Sequence, residues 1–228
     1  MSTIAVGLSA DRAFRFYQAA IGKKAVMAVT GFVLFGYVLA HLIGNLQIYL
    51  GPEQINAYAR FLHSKPPLLW TARIVLLACV ALHIVSSIQL WLLNRAARPD
   101  RYVKVQNIPA GYASRTMLWS GPIIGFFVLF HILHLTTGSV NLPFKELDVY
   151  NNVVQGFRIV PVSVTYIIAM LLLSMHLYHG VWSMFQTLGV SHPRYTLWLK
   201  RLAALFAIFI GAGNISIPVA VLAGLVGG

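Results

Sequence analysis

The run VPVSVTYIIAMLLLSMHLYHGVWSMFQTL, residues 160–188, contains no Asp, Glu, Lys or Arg, and its only residues that change charge near neutral pH are His176 and His179. As a helix it is about 43 Å long, more than the roughly 30 Å hydrocarbon core of a bilayer. Backbone polar groups in lipid must be satisfied within the segment, so the run reads as a membrane-spanning helix. Four more apolar runs of spanning length lie at 25–50, 66–93, 117–138 and 202–226. Of the 228 residues 58% are hydrophobic and 10% charged, and mean hydropathy is +0.75, which places the chain among polytopic membrane proteins. The expected fold is all-α, a bundle of five transmembrane helices forming one domain over residues 1–228.

The first apolar run is too long for the core of a signal peptide and is expected to stay. Residues 1–24 are a short polar lead-in, and DRAFRFYQAAIGKK within it suits an amphipathic helix on the inner face. Net charge is +12, and the cations are unevenly placed. Arg12, Arg15, Lys23 and Lys24 precede the first span; Arg95, Arg98, Arg101, Lys104 and Arg115 lie between the second and third; Arg194, Lys200 and Arg201 lie between the fourth and fifth. Arg60, Lys65, Arg73, Lys145 and Arg158 fall on the opposite side. The asymmetry predicts a cytoplasmic N-terminus and an external C-terminus; the membrane expected is the cell inner membrane.

Cys79 is the only cysteine, so the chain by itself cannot ligate an iron–sulfur cluster or close an internal disulfide. No glycine-rich phosphate fingerprint follows a strand, which argues against a nucleotide or flavin fold. GPEQINAYARFLHSKPP is too polar to span and links the first two spans outside; the basic, aromatic segment between the second and third faces inward as a headgroup anchor or partner dock. No internal repeat is visible.

Six of the eight histidines sit in spans: His41, His83, His131 with His134, and His176 with His179; His63 and His192 fall in connections. Ionisable residues within a span mark function by default. His41 lies 17 residues past Lys24 and His131 lies 16 past Arg115, each about 25 Å from the inner markers. His83 precedes Arg95 by 12 residues and His176 precedes Gly189 by 13, about 19 Å from theirs. Depth thus pairs His41 with His131 and His83 with His176, on two levels about 6 Å apart. Facing neutral imidazoles in a bundle core are the natural axial ligands of a heme iron. Gly31, Gly36 and Gly44 flank His41, Gly121 and Gly125 precede His131, and Gly180 with Ser183 follows His176, offering room and also ordinary helix packing. A zinc or di-metal centre at His131/His134 and His176/His179 is disfavoured because no carboxylate lies in any span. A transporter usually shows an acidic relay or paired broken helices; only GNISIP, with Pro218, hints at a break.

LAHLIGN, ALHIVSSIQLWL, SRTMLWSGPIIGFFVLFHILHLTTG and MHLYHGVWSMFQTLGV, in that order, resemble the cytochrome b membrane anchor of succinate:quinone oxidoreductases and fumarate reductases, in the class where one five-helix polypeptide carries two hemes b. The resemblance covers essentially the whole chain. It implies His83 and His176 as ligands of the proximal heme, and His41 and His131 as ligands of the distal one. The interval from Gly121 selects His131 over His134, and His-x-x-x-Gly-x-Trp-Ser fits His176, Gly180, Trp182 and Ser183. It further implies a flavoprotein subunit that oxidises succinate, an iron–sulfur subunit docked on the basic face, and a quinone, menaquinone in most relatives, near the distal heme. His63 stands where some relatives have an acid near that quinone and is a candidate for proton exchange. His179 lies about 60° around the helix from His176 and one turn nearer the inside, placed for a heme propionate or a neighbouring helix. Ser174 replaces a glutamate that some fumarate reductases carry two residues before the ligand, which puts their compensating proton path in doubt here. The diheme cytochrome b of a hydrogenase or formate dehydrogenase, and a heme-free transporter, remain as alternatives.

Overall fold

The computed structural model describes residues 15–97, 112–140, 144–190 and 192–228. It contains helices α1 (Ala20–Asn45), α2 (Pro52–His63), α3 (Pro66–Ala96), α4 (Tyr112–Leu135), α5 (Val149–Arg158), α6 (Val160–Thr187) and α7 (Pro193–Leu222). A 3₁₀ segment, Leu46–Leu50, extends α1. Five helices are long and apolar enough to cross a membrane: α1 with its extension, α3, α4, α6 and α7. The fold is the expected all-α, five-helix bundle, and no strand occurs among the described residues.

Span ends differ from the hydropathy reading where cations lie inside helices. The fifth span starts at Pro193 rather than 202, because the His192 ring accepts the Arg194 N–H at 3.2 Å as an N-cap and proline suits the first turn. Lys200 and Arg201 are thus helical, and their heads lie over the rings of Trp182 (4.9 Å) and Trp198 (5.2 Å), so stem and charge separate at the bilayer boundary. The first span begins at Ala20, which puts Lys23 and Lys24 inside it. Lys23 is only 8% exposed; its Nζ donates to the carbonyls of Tyr17 and Gln18 at 2.9 Å, closing the turn before the helix. The third span runs to Leu135 rather than 138, and α7 passes through GNISIP to Leu222 without a break. Arg12, Arg98, Arg101, Lys104 and the start of the lead-in lie outside the described residues.

Packing is selective. α1 lies against α3 and α6, α4 lies against α6, and α6 lies against α7. Leu42, Leu177, Ala207 and Ile210 form the shared core of α1, α6 and α7. Close approach there requires glycine: a Cβ on Gly213 would come within 2.8 Å of Leu42, and one on Gly211 would collide with Ser174 Oγ. The Ser174 hydroxyl donates back to the Met170 carbonyl at 2.9 Å and faces α7, so this position is a packing contact with no space for a glutamate. Gly211→Ala is expected to destabilise the detergent-solubilised protein by about 1–3 kcal/mol through overpacking, and Ser174→Ala in the same chain to restore most of it, as measured by thermal unfolding. An unchanged melting temperature in Gly211→Ala would contradict the contact.

The polar segment that links the first two spans is largely helical, and a second short helix, α5, precedes α6. α2 and α5 pack together at one end of the bundle with the C-terminus, burying Ile48, Ile55, Val153, Val154, Phe157, Ile217 and Val221. This cap end lies toward water, where burying each large side chain contributes about 1.5–3 kcal/mol. Asn56 joins the two cap helices, donating to Asp148 at 3.1 Å and accepting the Tyr150 N–H at 3.0 Å. The Asn151 amide, with Asn56 behind it, holds the Asp148 carboxyl below its usual pKa. Its contribution is therefore present above the unfolded pKa and lost as pH falls through the depressed folded one. The opposite end holds Arg15, Lys23, Lys24, Arg95, Arg115, Arg194, Lys200 and Arg201 and is the basic end.

Candidate functional site

The structure brings together the two pairs that depth selected. The ring centres of His41 (α1) and His131 (α4) are 5.7 Å apart, and those of His83 (α3) and His176 (α6) are 6.5 Å apart. Two metal–imidazole bonds of about 2 Å, plus about 1.1 Å from each ligating nitrogen to its ring centre, place ring centres about 6.2 Å apart. Both pairs therefore stand at the spacing for one metal ion between two imidazoles. The helices within each pair are not packed on each other: α1 and α3 form one half, α4 and α6 the other, and the rings reach across the space between. That separation suits a planar macrocycle. Among the described residues no three His, Cys, Asp or Glu side chains converge as a metal-binding group, so a tetrahedral zinc site has no donor set there.

Hydroxyl groups stand at Nδ1 of three of the four paired rings, and at His83 the direction of the bond is settled. Thr30 Oγ1 donates to the Val26 carbonyl at 2.8 Å, so toward His83 Nδ1, 3.2 Å away, it acts as acceptor. His83 then carries its proton on Nδ1 and keeps the Nε2 lone pair free for a metal. Ser120 Oγ lies 3.4 Å from His176 Nδ1, and Tyr166 Oη lies 3.2 Å from His131 Nδ1, so a hydroxyl stands at Nδ1 of two further rings. Tyr37, one turn before His41, stacks on its ring at 5.4 Å and 23°. Glycine makes room for the rings: a Cβ on Gly31 would stand 3.3 Å from His83 Cε1, and one on Gly121 3.9 Å from His176 Cε1.

These contacts correct the spacing of the levels. Gly31 and Thr30 belong to the level of His83, ten residues below His41 on the same helix (41 − 31). Gly121 touches the level of His176 and lies ten below His131 (131 − 121); Tyr166 touches His131 and lies ten from His176 (176 − 166). Three helices agree on about 15 Å between levels, rather than 6 Å. The shallower reading arose because α1 and α4 begin before the cations used as markers, Lys24 and Arg115, which sit inside them. The same contacts expose a repeat that the sequence alone did not suggest. Thr30-Gly31 precedes His41 as Ser120-Gly121 precedes His131, and each dipeptide seats a histidine of the next span. α1–α3 and α4–α6 thus share one local arrangement, a hydroxyl-glycine pair on the first helix under a histidine of the second.

Of the other histidines, His134 is buried one turn past His131 toward the cap end, its Nδ1 2.9 Å from Tyr166 Oη. His179 is half-buried and belongs to neither pair. His63 sits in the last turn of α2 rather than a loop, exposed at the cap end, its Nδ1–H donating to the Ala59 carbonyl at 2.9 Å. Its Nε2 is thereby left as the acceptor. Thr30, Ser120 and Tyr166 escaped the sequence reading; the interval to a histidine on the same helix, eleven residues for Thr30 and Ser120 and ten for Tyr166, was their available signal. No protein-family model, curated protein or solved structure matches this chain.

Proposed function

We propose that the chain is the membrane-anchoring cytochrome b subunit of a succinate:quinone oxidoreductase or fumarate reductase, holding two bis-histidine hemes b. The observation that supports it most is the geometry of the pairs: ring centres at 5.7 and 6.5 Å, on levels about 15 Å apart along the helices. Bound there, the two hemes supply one-electron transfer along the membrane normal. The chain's own residues do the rest. His83 and His176 hold the level nearer the basic end, His41 and His131 the level nearer the cap end; Thr30, whose own proton goes to Val26, keeps the His83 proton on Nδ1 and its Nε2 free, and Ser120 and Tyr166 stand at the Nδ1 of His176 and His131.

The basic end faces the cytoplasm in this reading and docks the iron–sulfur subunit, with the flavoprotein subunit that oxidises succinate or reduces fumarate beyond it. Quinone, with menaquinone the first candidate, exchanges electrons near the cap end, where exposed His63 stands ready to exchange protons through Nε2. The membrane is the cell inner membrane.

The test has two parts. The purified full chain should yield two hemes b per polypeptide by pyridine hemochrome, and a heme-free chain would end the proposal. In native membranes succinate should reduce both hemes. Reduction by hydrogen or formate, and not by succinate, would reassign the chain to another oxidoreductase.

A further inference from the structure

We infer that Tyr166 and His134 form a hydrogen-bond chain behind His131 that lowers the reduction potential of the heme held by His41 and His131. The inference rests on the two-heme reading above; it extends the part of Tyr166, which stands at the Nδ1 of His131, and adds His134, which that reading leaves without a role.

Tyr166 is 6% exposed and held from three sides, by Phe127 (ring centres 4.9 Å, 85°), Phe157 (4.7 Å, 76°) and Phe130 (6.0 Å, 64°). Its hydroxyl has no freedom to leave the line between His131 Nδ1, at 3.2 Å, and His134 Nδ1, at 2.9 Å. A phenol has one proton and must divide its roles between the two rings. An iron ligand offers its Nε2 lone pair, so His131 carries its proton on Nδ1 and donates to Tyr166 Oη. The Tyr166 O–H then donates to His134 Nδ1, which leaves the His134 proton on Nε2.

His134 is 1% exposed, lies parallel to Phe130 (5.5 Å, 10°), and its Nε2 has no hydrogen-bond partner. The opposite tautomer of His134 would leave two groups unmatched, its Nε2 lone pair and the tyrosine proton, instead of one N–H. Here the chain runs in one direction, His131 N–H to Tyr166 O–H to His134, and each bond polarises the next. Density is pushed onto the His131 ring, which makes it a stronger donor to iron and favours the ferric state. Tyr166 and His134 are positioning residues; neither meets the iron.

Potentiometric titration of the purified full chain, followed optically and by EPR of the low-spin ferric hemes, tests this. Tyr166→Phe keeps the ring packing and should raise one of the two midpoints, changing that heme's oxidised-to-reduced ratio about tenfold at fixed ambient potential, which is about 59 mV for one electron. His134→Leu should move the same midpoint the same way by less. His134→Gln, whose Oε1 accepts from the tyrosine, should restore it. In His41→Ala, which keeps only the other heme, adding Tyr166→Phe should change nothing. Two hemes with neither midpoint moved would overturn the chain and leave the two-heme reading intact, as would equal movement of both. A wild-type chain without heme would overturn the two-heme reading itself.

Discussion

Replacing His176 with alanine is expected to remove one of two hemes b, and replacing His83 is expected to remove the same one. The two rings face each other at 6.5 Å from separate halves of the bundle, so under the two-heme proposal either substitution would remove one of the two histidines that hold the same heme. The double variant should lose no more than either single one, because residues acting as a unit are not additive. His179→Ala, one turn away on α6, should keep both hemes. Hemochrome stoichiometry measures the loss, and the spectrum of the surviving heme shows whether both variants lost the same centre. Loss of heme in His179→Ala with retention in His176→Ala would reverse the assignment on α6, and different surviving spectra in His83→Ala and His176→Ala would break the pairing.

The five spans were readable because an unbroken apolar run of spanning length has few other solutions, and the all-α class followed from the rule that lipid offers no backbone partners. Span ends were less readable. Hydropathy places a boundary at the first cation, yet Lys23, Lys200 and Arg201 sit inside helices and carry their charge outward on flexible stems or back onto carbonyls. The cap helices were hidden for a related reason: Ile55 and Ala59 on α2, and Val153, Val154 and Phe157 on α5, are too few to raise a polar segment's hydropathy, although they sit on one buried face each. The histidine pairing survived a faulty depth scale because each pair was measured from markers with a shared error. The absolute spacing did not survive it. The hydroxyl residues left only a recurring interval to a histidine of their own helix, and their actual partners were hidden, since Thr30 and His83 lie 53 positions apart and Ser120 and His176 lie 56 apart, and only folding makes them neighbours.

That corrected spacing carries the second large expected effect. Gly31 sits on α1 with His41, and a reading by sequence proximity makes it the space-giving neighbour of that ligand. The fold instead sets it beneath His83, where a Cβ would already approach Cε1 to 3.3 Å. Alanine there is expected to shift the ring by a few tenths of an ångström and keep both hemes. Leucine adds three further carbons into the space the imidazole occupies, and the ring, tied through Nδ1 to Thr30 one residue away, has little room to turn aside. Gly31→Leu should therefore lose one heme, and the survivor should match that of His83→Ala, the heme held by His41 and His131. Gly36→Ala is the control, because a Cβ at Gly36 meets nothing within 4 Å. Hemochrome analysis with low-temperature absorption spectra of the α-bands reads both results. If the survivor of Gly31→Leu matched that of His41→Ala instead, Gly31 would belong to the His41 level and the 15 Å separation derived from the helix rise would fail.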